Sequence, residues 1–121
     1  PEAGGRTYFQ NYKDMVLAEC VSTAYQSDPK VVMDAGSSAW ALRDWTSFDW
    51  EEHPYPEVTE LVERTLARDY TNPIAESEVK GLRFDMLKCL DLYHGKELDA
   101  LARRVVLKPS HTYRQDYPPT R

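Results

Sequence analysis

Every proline between residues 29 and 109 falls at the edge of a stretch whose apolar residues recur at three and four positions. That pairing leaves short helices as the regular structure this chain supports. Tyr12, Val16, Cys20 and Ala24 step by four, with Met15 and Thr23 beside them, and predict a first amphipathic helix from Tyr8 to about Gln26. Ser27-Asp28-Pro29 restarts the pattern, because Asp28 can cap and Pro29 at the first helical position forfeits no donor the helix needs. A second helix is expected to about Thr46, with Val32, Ala35, Gly36, Ala39 and Leu42 on one face whose small residues imply close packing. A third, from about Pro56 to Asp69, is carried by Val58, Leu61, Val62 and Leu66 and broken by Thr71-Asn72-Pro73.

Val79, Leu82, Met86, Cys89 or Leu90, and Tyr93 predict the longest helix, from about Ala75 to His94, with Gly95 as its stop. Leu98, Leu101, Ala102 and Val105 mark a short fifth helix from Lys96 to about Val106. Past Lys108-Pro109 the chain has no periodicity and carries Pro118 and Pro119, which predicts an extended tail docked through Tyr113 and Tyr117. No strand pattern competes. The expected fold class is all-α: a single compact bundle of about five helices spanning residues 8–106, with 107–121 as the tail, one domain in 121 residues.

Charge is distributed unevenly over this frame. Between Asp44 and Glu63 lie seven carboxylates and no Lys or Arg, interleaved with Trp45, Phe48, Trp50 and Tyr55. The chain has 20 acidic and 15 basic residues, so without those seven it holds 13 against 15, and the net charge of -5 is made entirely here. Fixed negative charge beside large aromatic side chains suits a basic cleft on a partner: carboxylates steer the encounter and aromatics supply buried contact. Glu57 and Glu60 also favour the positive end of a helix dipole, which leaves Asp49, Trp50, Glu51, Glu52 and His53 without a local reason to be together. Trp45 and Phe48 read as core anchors at the base of the segment; Trp50 and Tyr55, close to the prolines that stiffen it, read as contact residues. A pI near 5.2 argues against nucleic acid as a partner, and no apolar run approaches the length of a membrane span.

Catalytic patterns are missing. His53, His94 and His111 are isolated from one another, no metal-ligand or phosphate-loop motif occurs, and no cofactor is implied. Cys89 and His94 are five residues apart on one helix and point in different directions. Ser77-Glu78-Val79-Lys80 matches the four-residue pattern of lysine-assisted serine acyltransferases without its companion motifs. The two cysteines, Cys20 and Cys89, sit in separate helical stripes and are compatible either with a disulfide or with two buried thiols. The first residue is Pro1 rather than Met, which fits a processed or trimmed chain.

The run Leu87-Lys88-Cys89-Leu90-Asp91-Leu92-Tyr93-His94-Gly95-Lys96-Glu97-Leu98-Asp99 resembles the signature stretch of the immunity proteins paired with type VI secretion amidase effectors of the fourth amidase family. Asn11-Tyr12, Ala24-Tyr25 before Ser27-Asp28-Pro29, and Trp45-Thr46-Ser47-Phe48-Asp49 resemble that family in the same order. The likeness covers roughly Tyr8 to Val105; His53-Pro54-Tyr55-Pro56 and the tail after Lys108 match no family pattern.

The resemblance implies a non-enzymatic, all-helical periplasmic protein that blocks a cysteine amidase toxin of the papain-like NlpC/P60 type, which cuts peptidoglycan stems. It further implies a homodimer that binds two toxins as a heterotetramer, and a disulfide between Cys20 and Cys89. Combined with the charge pattern, it makes Asp49, Trp50, Glu51, Glu52, His53, Tyr55, Glu57 and Glu60 the candidate toxin-binding residues. The competing readings are a helical adaptor that binds a basic partner without inhibiting an enzyme, and a small hydrolase resting on Cys89 and Ser77.

Overall fold

A computed structural model describes residues 1–49, 51 and 56–119. Among the described residues seven helices follow one another: α1 (Tyr8–Ala24), α2 (Pro29–Asp44), α3 (Pro56–Leu66), α4 (Pro73–Glu78), α5 (Asp85–His94), α6 (Lys96–Val105) and α7 (Tyr113–Asp116). Five of them exceed two turns, and the described residues form no strand beyond two isolated bridges, so the all-α expectation holds.

Each start is written locally. Thr7 and Gln10 close a capping box on α1, each side chain accepting from the other's backbone N–H. Asp28 Oδ1 accepts from the amides of Lys30 and Val31 at 3.1 and 3.4 Å ahead of α2. Asn72 repeats that device on Ile74 and Ala75, so Asn72-Pro73 both ends the connection from α3 and begins α4.

α1 is the central helix, packed against α2, α3, α5 and α6. Its Tyr8, Tyr12, Met15, Val16 and Cys20 meet Val58, Leu61 and Val62 of α3, Cys89 and Leu92 of α5, and Leu98, Leu101, Ala102 and Val105 of α6 in one core. Cys20 and Cys89 are joined, with their Cα atoms 5.7 Å apart, so α1 and α5 are covalently tied across a sequence separation of 69. The small-residue face of α2 is turned toward α1: Ala39 is 1% exposed and Gly36 faces Ser22 of α1.

The predicted long helix from Ala75 to His94 is two helices. α4 closes with the Val79 amide on the Ala75 carbonyl, and the connection then passes through Gly81 at φ +75° and Phe84 at φ 60°, left-handed positions that no α-helix contains. The stripe predicted to face inward changes accordingly. Val79, Leu82, Met86 and Leu90 are exposed, while Lys88, Cys89 and Leu92 form the buried face of α5.

Gly95 alone separates α5 from α6. A Cβ there would lie 2.9 Å from the Asp91 carbonyl oxygen, so the sharp corner requires glycine.

The tail is folded onto α1. The carbonyls of His111 and Pro109 accept from the Tyr8 and Phe9 amides at 2.8 and 3.2 Å, which serves two of the donors that the first turn of α1 leaves open. The Tyr8 hydroxyl donates to Asp116 at 2.7 Å, and His111 pairs with the same carboxylate at 3.0 Å. The tail thus holds a helical turn, α7, and docks through Asp116 and backbone carbonyls. Tyr113 packs partly on the core, whereas Tyr117 is exposed.

Candidate functional site

The acidic segment is fastened to the bundle at both ends. Phe48 is 8% exposed and meets Tyr12 edge-on with ring centroids 5.6 Å apart, so its assignment to the core holds. Around it the backbone pairs with the end of α6: the Asp49 amide donates to the Val105 carbonyl at 3.0 Å, and the Leu107 amide to the Ser47 carbonyl at 2.8 Å. Trp45 is half-buried, and its carbonyl accepts from the Asn11 side-chain amide at 3.1 Å. Asp49 Oδ1 accepts from the Glu51 amide at 3.1 Å, a local turn that sets two carboxylates on one short stretch.

Where the chain enters α3, Glu57 is half-buried and Glu60 is exposed. Burial first, and the Glu57 charge second, push the Tyr12 phenol far above its ordinary range. Glu57 and Glu60 line a groove of about 320 Å³ between α3 and α6, floored by Leu61 and Leu101 and flanked by Arg64, Glu97 and Arg104. Arg64 spans that groove, 3.2 Å from Glu97 and 3.8 Å from Glu60. Both pairs are exposed, where such contacts add little stability but set the pattern of charge a partner meets.

Of the eight candidate residues, the structure places Asp49, Glu51, Glu57 and Glu60 along the path from the α6 end to the first turns of α3. Trp50, Glu52, His53 and Tyr55 lie outside the described residues. Glu97 and Arg104, seven apart on one face of α6, complete the groove and were not singled out by sequence. Their spacing was the available signal.

A second surface lies at the far end of α3. Ile74, Val79, Leu82, Met86, Leu87 and Leu90 are all exposed around the α4–α5 connection, with Met86 at 43% and Ile74 at 78%. Several of them line an open apolar hollow with Tyr25 and Phe84. Among the described residues no group of His, Cys, Asp and Glu is arranged to hold a metal, and none of their helices is long and apolar enough to cross a membrane.

Residues 10–102 match the type VI secretion system (T6SS) amidase immunity protein family, Tai4. This chain belongs to the Tai4 family. It is accordingly an immunity protein for an amidase effector and not an enzyme. The Tai4 match takes in α1 to most of α6, including the Cys20–Cys89 bridge and the acidic segment.

Two solved structures share the Tai4 fold described above. A chain from work on new type VI-secreted toxins and self-resistance proteins in Serratia marcescens is 28% identical, with a TM-score of 0.79 over 95% of this chain and 88% of that one. A chain from the Tae4/Tai4 effector–immunity system of Salmonella typhimurium is 24% identical, with a TM-score of 0.66 over 81% of this chain and 88% of that one, a likeness of fold. No curated protein matches.

Proposed function

We propose that this immunity protein neutralises its amidase by occluding the active site with the segment from Asp49 to Glu60. The observation that carries the reading is that a stretch holding all of the chain's net negative charge is anchored by Phe48 in the core and by α3 at its other end. Anchoring lowers the entropy lost on docking, so more of the contact energy is available for affinity. The target is a cysteine amidase of the NlpC/P60 type that cuts peptidoglycan stems. Such a site holds a thiolate beside a histidinium, and carboxylates from Asp49, Glu51 or Glu52 beside that cation, with Trp50 or Tyr55 in the substrate groove, would exclude both substrate and water.

The compartment is the periplasm, where the toxin's substrate lies and where an oxidising environment suits the Cys20–Cys89 bond. The assembly is a homodimer that engages two toxins. The inward packing of Ala39, with Gly36 against Ser22, weakens the α2 face as support for that dimer, which rests on the family resemblance.

A second reading of the contact surface is favoured by the exposed apolar cluster at the α4–α5 connection, since contiguous apolar surface of this kind marks a binding face. Paired variants separate the two. Asp49→Lys with Glu51→Lys tests the acidic segment, and Met86→Asp with Leu90→Asp tests the apolar face, each measured by toxin binding and by protection of cells. Loss of protection with the first pair alone supports occlusion by the acidic segment. Loss with the second pair alone transfers the contact to α5.

A further inference from the structure

The tail, the start of α1 and the end of α2 enclose a cleft of about 510 Å³ that the toxin-blocking reading does not use. Its size is that of a small-molecule site, and its lining is mainly polar. One wall is aromatic: Tyr113 and Tyr117 stack with centroids 4.8 Å apart and an interplanar angle of 30°. The acid behind that wall, Asp116, is already engaged, since one oxygen accepts from Tyr8 and the other pairs with His111. Those two bonds hold its carboxyl below the ordinary range, with smaller help from the nearby His111 and Lys108 charges.

One charge of each sign in the cleft has no direct ion-pair partner among the described residues. These are Asp44, at the end of α2, and Lys108, in the tail. The main chain at Lys108 is held in place. It sits at φ 50°, a conformation costly for a residue with a side chain, between the Leu107 amide on the Ser47 carbonyl at 2.8 Å and the His111 amide on the Lys108 carbonyl at 2.9 Å. An ammonium, a carboxylate and an aromatic wall around one cavity match a ligand that carries an amine, a carboxylate and a compact body between them.

We propose that this cleft binds a small zwitterion of the amino-acid or short-peptide class, its ammonium on Asp44, its carboxylate on Lys108 and its body against Tyr113 and Tyr117. The site is separate from the groove between α3 and α6, so the proposal stands or falls without the occlusion reading.

The test is a titration of ¹⁵N-labelled full chain with alanylalanine, its N-acetyl derivative and its C-terminal amide, followed through amide NMR signals. Free alanylalanine should give saturable shifts at Ser47, Lys108, Tyr113 and Tyr117 with a Kd on the order of 1 mM, and each blocked form should bind at least about fivefold more weakly. Asp44→Asn should erase the preference for the free amine only, and Lys108→Met the preference for the free carboxylate only. Both positions are exposed, and a retained amide spectrum confirms the fold of each variant. Absence of saturable shifts up to about 20 mM, or equal binding of all three forms, would overturn the assignment.

Discussion

The buried ammonium of Lys88 donates to the carbonyl of Leu66 at 3.1 Å, so a side chain of α5 closes the C-terminus of α3. Lys88 is 2% exposed, its charge is shared with Asp85 at 3.4 Å, and it lies 5.6 Å from the centre of the Tyr70 ring. Arg83 reaches the same carbonyl at 3.3 Å, and Tyr70 donates to Asp91 at 2.6 Å. A partly negative helix end is thus met by two cations from the α4–α5 side, which locks α3, and with it the acidic segment at its other end, onto the bundle. Lys88→Met keeps the stem but removes the buried one of the two cations that Leu66 and Asp85 share, leaving only the exposed Arg83 on each. Denaturant unfolding should show a loss of about 1–3 kcal/mol, and Lys88→Ala should lose more by adding a cavity.

Reduction should weaken the fold without touching any chemistry. The Cys20–Cys89 bond closes a long loop, and loop-closure entropy gives such a bond about 4 kcal/mol. The urea midpoint with and without reductant measures it. Cys89→Ala should show the same loss yet bind toxin at temperatures where it stays folded.

Gly95→Ala drives a methyl group to within 2.9 Å of the Asp91 carbonyl and so forces the α5–α6 corner open. A loss of about 1–3 kcal/mol is expected, of the kind seen for overpacked sites, and calorimetry on the purified variant decides it.

Tail docking should depend on pH at both extremes. Asp116 has a folded pKa below the ordinary value of 3.8, so the unfolded state binds more protons in that window, and the stability it supplies is present above about pH 4 and lost as pH falls through the folded value. Tyr8 is shifted the opposite way, first by burial and then by its bond to Asp116, so its contribution is complete below the ordinary value of 10.0 and declines as pH rises beyond it. The protection of the Tyr8 and Phe9 amides against hydrogen exchange, taken relative to the intrinsic rate at each pH, should fall on the acid side, and Asp116→Asn should abolish that acid dependence while lowering protection at neutral pH.

Helix starts were legible because they are short-range: Asp28-Pro29 and the spacing around Tyr12 and Val16 state their own structure. The division between α4 and α5 was not. Val79, Leu82, Met86 and Leu90 keep helical spacing with no proline among them, and the break lies in the backbone hand at Gly81 and Phe84. Burial of Lys88 was hidden for another reason. A lysine on a helix face is ordinarily solvated, and its partners, Leu66 and Tyr70, are fixed only by tertiary packing. At the candidate site the charge pattern was readable, whereas Glu97 and Arg104 join it only because α6 lies beside α3.

The most direct test of the central claim is the association rate of the cognate amidase with the chain carrying Asp49→Lys, Glu51→Lys and Glu52→Lys, measured from low to high salt against the unaltered protein. With folding confirmed by circular dichroism, the account predicts association slowed at least about tenfold at low salt, the two proteins converging as salt screens the charges. Unchanged rates at every salt concentration, with cells still protected, would contradict it and move the interface off the acidic segment.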